Sequence, residues 1–89
     1  MNKEQLAQRL SETLALPGEA LGEPRLSLWS DRRVCLENHG GILHWSDTEL
    51  SLRWGTGLLL ITGEQLQILA MEEKTLALQG RIRSLVWKE

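Results

Sequence analysis

The chain has 89 residues, 10 basic and 12 acidic side chains, a formal net charge of −2 and a pI near 5.7. That size supports a single core with little stability to spare, and the acidic balance makes no electrostatic case for nucleic acid or an anionic membrane. Arg25, Arg32, Arg33, Arg53, Arg81 and Arg83 are spread between carboxylates and read as solvated strand faces. Cys35 is the only cysteine, so no intramolecular disulfide forms and the chain suits a reducing compartment. No charged leader with an apolar stretch and a cleavage site is visible. The longest unbroken apolar run, Leu58 to Ile61, is far below the roughly 20 residues of a membrane-spanning helix. The expectation is a soluble cytoplasmic protein with no direct membrane insertion. All four aromatic residues are tryptophans, at 29, 45, 54 and 87, a residue type that favours the rim between apolar bodies and water and so suggests a contact surface.

Residues 2 to 14 read as an amphipathic helix. Leu6, Leu10 and Leu14 form one narrow apolar stripe, Asn2 suits the N-cap, and Glu4 and Gln5 suit the first turn. Leu16-Pro17-Gly18 ends it, and a helix of this length is unstable alone in water, so it must dock on something. Residues 17 to 24 form a Pro/Gly linker, which gives an N-terminal part over 1–24 and a β domain over 25–89, one structural domain in all.

From Arg25 the period changes to two. Leu26 and Leu28, Val34 and Leu36, then Leu50, Leu52 and Trp54 alternate with polar or small residues. Turn signals fall at Ser30-Asp31, His39-Gly40-Gly41, Ser46-Asp47, Gly55-Thr56-Gly57, Gly63-Glu64, Glu72-Glu73-Lys74 and Gly80. This spacing predicts a mainly β protein, a small antiparallel meander or sandwich of about seven or eight short strands. Leu58 to Ile61 is apolar on both faces, and Leu66, Ile68 and Ala70 alternate with Leu69 and Met71, so both sides need cover. Helix cover on one side leaves an apolar patch, which in soluble proteins usually marks an interaction site.

Cys35, His39 and His44, with Asp47 as an optional fourth ligand, invite a zinc reading, but alternating strand geometry does not force them to converge. A Cys-His nucleophile needs a lowered thiol pKa and an orienting third group, and nothing in the sequence supplies them. The glycines form no strand–loop–helix phosphate cradle. No catalytic residue, metal or cofactor is therefore expected. Asn38 and His39 read first as a structural corner, with Glu37 pairing to Arg33 or Arg53 across a strand.

The same corner carries a resemblance. Pro24-Arg25-Leu26-Ser27-Leu28, Leu36-Glu37-Asn38-His39 with Gly41-Ile42, Ser46, Leu60-Ile61-Thr62-Gly63 with Leu66 and Ile68, and Leu76 through Ile82 with Gly80, Leu85 and Trp87 follow one another in order. In that order and spacing the chain resembles the YabP/YqfC family of sporulation proteins of endospore-forming bacteria, and its YqfC branch more closely. Two positions depart from the pattern: Gly40 stands where a basic residue is expected, and Trp87 where tyrosine is expected. The resemblance implies a non-enzymatic role in spore formation, in the mother-cell cytoplasm, during assembly of the coat or cortex. It also implies a protein partner, such as a membrane-bound sporulation protein at the outer forespore membrane. Its motif residues here are Pro24, Arg25, Glu37, Asn38, His39, Gly63 and Gly80.

The expected function is thus an interaction or scaffold protein, self-associating or binding a partner through Leu43, Trp45, Leu59, Ile61, Leu69, Met71, Leu85 and Trp87, joined by Asn38 and His39. The alternative is a module for a small ligand or cell-wall glycan, with tryptophans as stacking platforms beside Asn38 and His39.

Overall fold

A computed structural model describes residues 22–89. The expected helix over 2–14 and most of the linker lie outside the described residues. Six antiparallel strands form one sheet: β1 (Arg25–Trp29), β2 (Arg33–Glu37), β3 (Ile42–Trp45), β4 (Glu49–Trp54), β5 (Gly57–Glu72) and β6 (Thr75–Lys88), in the order β1-β2-β6-β5-β4-β3. The strand count falls below the seven or eight expected because two turn signals, Gly63-Glu64 and Gly80, lie inside strands. β5 and β6 run 16 and 14 residues, well beyond the usual strand length, and they bend instead of reversing.

The bend is built from register shifts. Between β5 and β6 the pairing slips at Thr62/Gly63, at Glu64/Gln67 and at Ile68/Ala70, each slip adding local twist. Gln65 takes φ 52 and Gly80 φ 143. A Cβ on Gly80 would lie 2.8 Å from the Gln65 carbonyl oxygen and 2.9 Å from Leu66 Cα, so only glycine lets the two backbones approach this closely. Gly63 faces the Arg81 carbonyl oxygen in the same way. These two glycines are where the long hairpin folds over.

Folding it over makes two layers from one sheet. In the first, the β1–β2 hairpin pairs with the start of β6, Val34 against Leu78 and Leu36 against Leu76. In the second, the β3–β4 hairpin pairs with the start of β5, Leu50 against Ile61 and Leu52 against Leu59. The inner faces meet in one core of Val34, Leu36, Leu50, Leu52, Leu59, Ile61, Leu66, Leu76 and Leu78, with Leu26, Ile42, Trp54, Ile68, Ile82 and Leu85 packed at its margin. At about 25 cal/mol per Å² of apolar surface, this shared interior is the main force holding the layers together.

The two hairpins are built alike. Trp29-Ser30-Asp31 closes β1 and Trp45-Ser46-Asp47 closes β3. The Asp31 carbonyl accepts from Ile82 N–H at 2.7 Å and the Arg32 carbonyl from Gly80 N–H at 3.0 Å. On the other side the Asp47 carbonyl accepts from Leu66 N–H at 2.7 Å and the Thr48 carbonyl from Gly63 N–H at 2.9 Å. Each turn therefore caps the bend of a long strand with two carbonyls, an arrangement with approximate two-fold symmetry about the bend.

Candidate functional site

The corner between the hairpins, residues 37–41, is held from several sides. Arg25 and Glu37 are register partners, and their side chains form an ion pair at 3.3 Å, which replaces the expected pairing of Glu37 with Arg33 or Arg53. Asn38 adopts φ 60, a left-handed conformation that asparagine tolerates better than most residues. Its N–H donates to the Lys74 carbonyl at 2.7 Å, and its Nδ2 donates to the Glu23 carbonyl at 3.1 Å. Gly40 N–H donates to the Arg53 carbonyl, and Arg53 N–H to the Gly41 carbonyl, both at 2.9 Å, which laces the corner to β4. A Cβ on Gly40 would lie 2.9 Å from Arg53 Cβ, so the backbone here leaves little room for the basic side chain that the family pattern leads one to expect. The motif residues Arg25, Glu37 and Asn38 thus act first as structural fasteners.

His39 is buried, at 5% exposure. Its Nδ1 accepts a 3.0 Å hydrogen bond from Gly41 N–H, so the neutral ring carries its proton on Nε2. Nε2 is buried without a hydrogen-bond partner among the described residues, and burial lowers the pKa of the ring. His39, Gly41 and Ile42 share a shallow cleft of about 490 Å³ with Met71, Glu72 and Glu73.

The expected apolar surface is only partly assembled. Leu59 and Ile61 are fully buried between the layers, because strand pairing turns them toward Leu52 and Leu50, so neither belongs to a surface. Leu85 is half-buried against the core. Leu43, Trp45, Leu69, Met71 and Trp87 are exposed, from 39% for Trp45 to 57% for Trp87. A register shift between Ile42 and His44 breaks the alternation that would set Leu43 and Trp45 on one face: Trp45 opposes Leu50 and Ile42 opposes Leu52, both on the core side. The shift at Ile68/Ala70 likewise places Ile68 opposite Leu78 and Met71 opposite Leu76, on one face instead of two.

Position divides these residues into two groups. β3 is an edge strand whose two ends lie near the second half of β5: Ile42 shares the cleft with Met71, and the turn after Trp45 bonds to Leu66. Trp45 and Met71, each paired with a core leucine, therefore lie near one seam between the layers, and Leu43 and Leu69 are exposed on the same two strands. Trp87 lies on β6 opposite Leu59, away from that seam, and exposed Leu28 lies on the other edge strand, β1.

The structure does not bring Cys35, His39 and His44 together. Cys35 lies opposite Ala77 on the outer face of the first layer, and His44 opposite Ser51 in the second. No group of three or more His, Cys, Asp or Glu side chains among the described residues is placed to hold a metal ion. The Cys35 thiol is buried, and burial, with the Glu37 carboxylate adding to it, pushes its pKa up to about 11, which keeps it protonated.

A second cleft was not legible in the sequence. It lies over the bend, has a volume of about 850 Å³, and is lined by Arg32, Arg33 and Arg81 with Gln65, Gln67 and Gln79, and by Asp47 and Glu64. The pairing of β2 with β6 gathers arginines that the sequence keeps far apart. The repeated Trp-Ser-Asp is the signal that would have aligned the two hairpins and pointed to the bend between them.

The class that emerges is a small, folded-over β domain of two like hairpins docked on one bent hairpin. The chain belongs to the YabP family, whose sequence model matches residues 21–89. It is similar to the uncharacterized protein YqfC of Bacillus subtilis (strain 168), at 27% identity over 81 residues, covering 90% of this chain and 87% of the relative. No solved structure matches it. No helix among the described residues is long and apolar enough to cross a membrane.

Proposed function

We propose that this chain is a non-catalytic interaction protein of endospore formation, a scaffold for spore-envelope assembly in the mother-cell cytoplasm that binds a protein partner. The observation that carries the reading is the exposure of Leu43 and Trp45 on edge strand β3 and of Leu69 and Met71 on β5, each of these side chains more than one-third exposed. Large apolar side chains beside an unpaired strand edge can add a partner strand or seat a partner's apolar face. The protonated, buried Cys35 and the separation of Cys35, His39 and His44 favour binding over covalent or metal chemistry. Membership of a family named for sporulation proteins supplies the biological setting.

The test is a fluorescent fusion of the chain followed in its sporulating host, native and as the Trp45→Ser, Met71→Ser double variant. The native fusion is expected at the developing spore and the variant, at equal abundance, throughout the mother cell. A variant that localises and supports spore formation like the native chain would remove this surface from the function.

A further inference from the structure

The geometry points to the cleft over the β5–β6 bend as a binding site for a compact phosphate group, held by the guanidinium groups of Arg32, Arg33 and Arg81. This goes beyond the partner surface above and uses none of its residues.

The topology makes the site. Arg32 and Arg33 end the first hairpin turn, and Arg81 follows Gly80 at the bend of β6. The Gly80 N–H to Arg32 carbonyl bond and the Ile82 N–H to Asp31 carbonyl bond clamp that turn against that bend. Arg33 opposes Gln79, and Gln79 opposes Gln67 in turn, its Nε2 donating to Gln67 Oε1 at 3.3 Å, so carboxamides extend the arginine row across β6 and β5. A chain with a net charge of −2 thus carries three of its arginines in one concave site.

Their charge is largely uncommitted. Arg33 and Arg81 form no ion pair among the described residues, and Arg32 has only a loose, solvent-exposed contact with Asp31 at 3.7 Å. Glu64 at the rim is already engaged by Arg83 at 2.6 Å. Guanidinium groups that reach a cleft from separate strands offer donors from several directions. A tetrahedral phosphate, with oxygens on several sides, meets that arrangement better than a planar carboxylate, which is served by one fork. The Asp47 and Glu64 carboxylates in the lining oppose a continuous run of phosphates, so the site fits an isolated phosphate and not a nucleic-acid backbone.

The phosphate can come from a soluble phosphorylated compound or from a lipid headgroup, and one experiment with two arms separates them. Inorganic pyrophosphate is titrated into the full chain by calorimetry at low ionic strength, and the same protein is floated with vesicles of phosphatidylcholine alone or with phosphatidylglycerol. Binding of pyrophosphate without flotation assigns a soluble phosphate, and flotation confined to phosphatidylglycerol vesicles assigns a headgroup. In either case Arg33→Gln with Arg81→Gln is expected to weaken binding at least tenfold, with an unchanged circular dichroism spectrum. Arg53→Gln, on a different strand outside the cleft, is expected to bind as the native chain does. No binding in either arm at millimolar pyrophosphate overturns the proposal, as does equal loss in Arg53→Gln, an unaffected double variant, or tighter binding of a single-stranded oligonucleotide.

Discussion

The two hairpins of this domain share a scaffold and differ in what they carry. Both follow their first strand's terminal tryptophan with Ser-Asp, both place two aliphatic side chains of their second strand in the common core, and both cap a strand bend with paired carbonyls. Beyond that they diverge. The first turn continues into Arg32 and Arg33, the second into Thr48 and Glu49. The first edge strand ends with Trp29 half-buried, the second with Trp45 exposed on a strand broken by a register shift. What the halves have in common builds the fold, and what separates them is where a function can reside.

The most direct way to break this equivalence is at the bend. Gly80→Ala adds a Cβ into backbone atoms at a φ of 143, so strain and overpacking together are expected to cost about 4 kcal/mol. Gly63→Ala lacks the positive φ, but its Cβ would meet the Arg81 backbone carbonyl more closely still, so it should cost a similar amount, about 4 kcal/mol. Denaturant unfolding of both variants checks this, and a bend that tolerates either change is not the hinge of the fold. Next come Leu36→Ala and Leu52→Ala, at matching positions of β2 and β4 and both fully buried. Each should cost about 3 kcal/mol. A cost confined to one of them would show that the layers do not share one cooperative core.

Smaller effects sharpen the contrast. Glu37 and Arg53 occupy matching places at the ends of the two hairpins, but among the described residues only Glu37 has an ion-pair partner, the half-buried Arg25. Glu37→Gln should lose about 1 kcal/mol and Arg53→Gln less than about 0.5 kcal/mol, both read from unfolding midpoints. The smallest expected effect belongs to the corner that joins the hairpins. His39 has a folded pKa below the ordinary value of 6.5, so the unfolded chain takes up the proton first. Its contribution is complete above about pH 6.5 and is lost as the pH falls through the folded pKa. His39→Asn, which can still accept from Gly41 N–H, should flatten the fall in stability between neutral and mildly acidic pH. An unchanged acid slope in that variant would place the titration elsewhere.

Much of this was legible in the sequence. Period-two leucines gave β2 and β4 with their buried faces, and Glu72-Glu73-Lys74 gave the β5–β6 turn, because a turn and an alternating pattern are local properties. Gly63 and Gly80 misled, since a glycine that permits close backbone approach leaves the same mark as one that permits reversal. The burial of Leu59 and Ile61 beside the exposure of Leu69 and Met71 could not be read, because both segments are apolar and only pairing with β4 decides which is covered. The corner was read as a structural turn, but it crosses from the first layer to the second instead of joining neighbouring strands, and its Arg25 partner depended on strand register. The arginine cleft is wholly a product of topology, since Arg33 and Arg81 meet only because β2 lies beside β6.

The sheet order also fixes when the chain can fold. The first hairpin made is the one that must dock on the last strand made, Val34 finding Leu78 and Leu36 finding Leu76. Until β6 leaves the ribosome, β2 lacks the long strand it pairs with, whereas β3 and β4 can meet β5 earlier in synthesis. Long-range pairings of this kind are slow to form and leave apolar strands open in the meantime. The molecule is therefore expected to complete itself from the β3–β4–β5 side, with the N-terminal hairpin, arginine turn included, the last part to close.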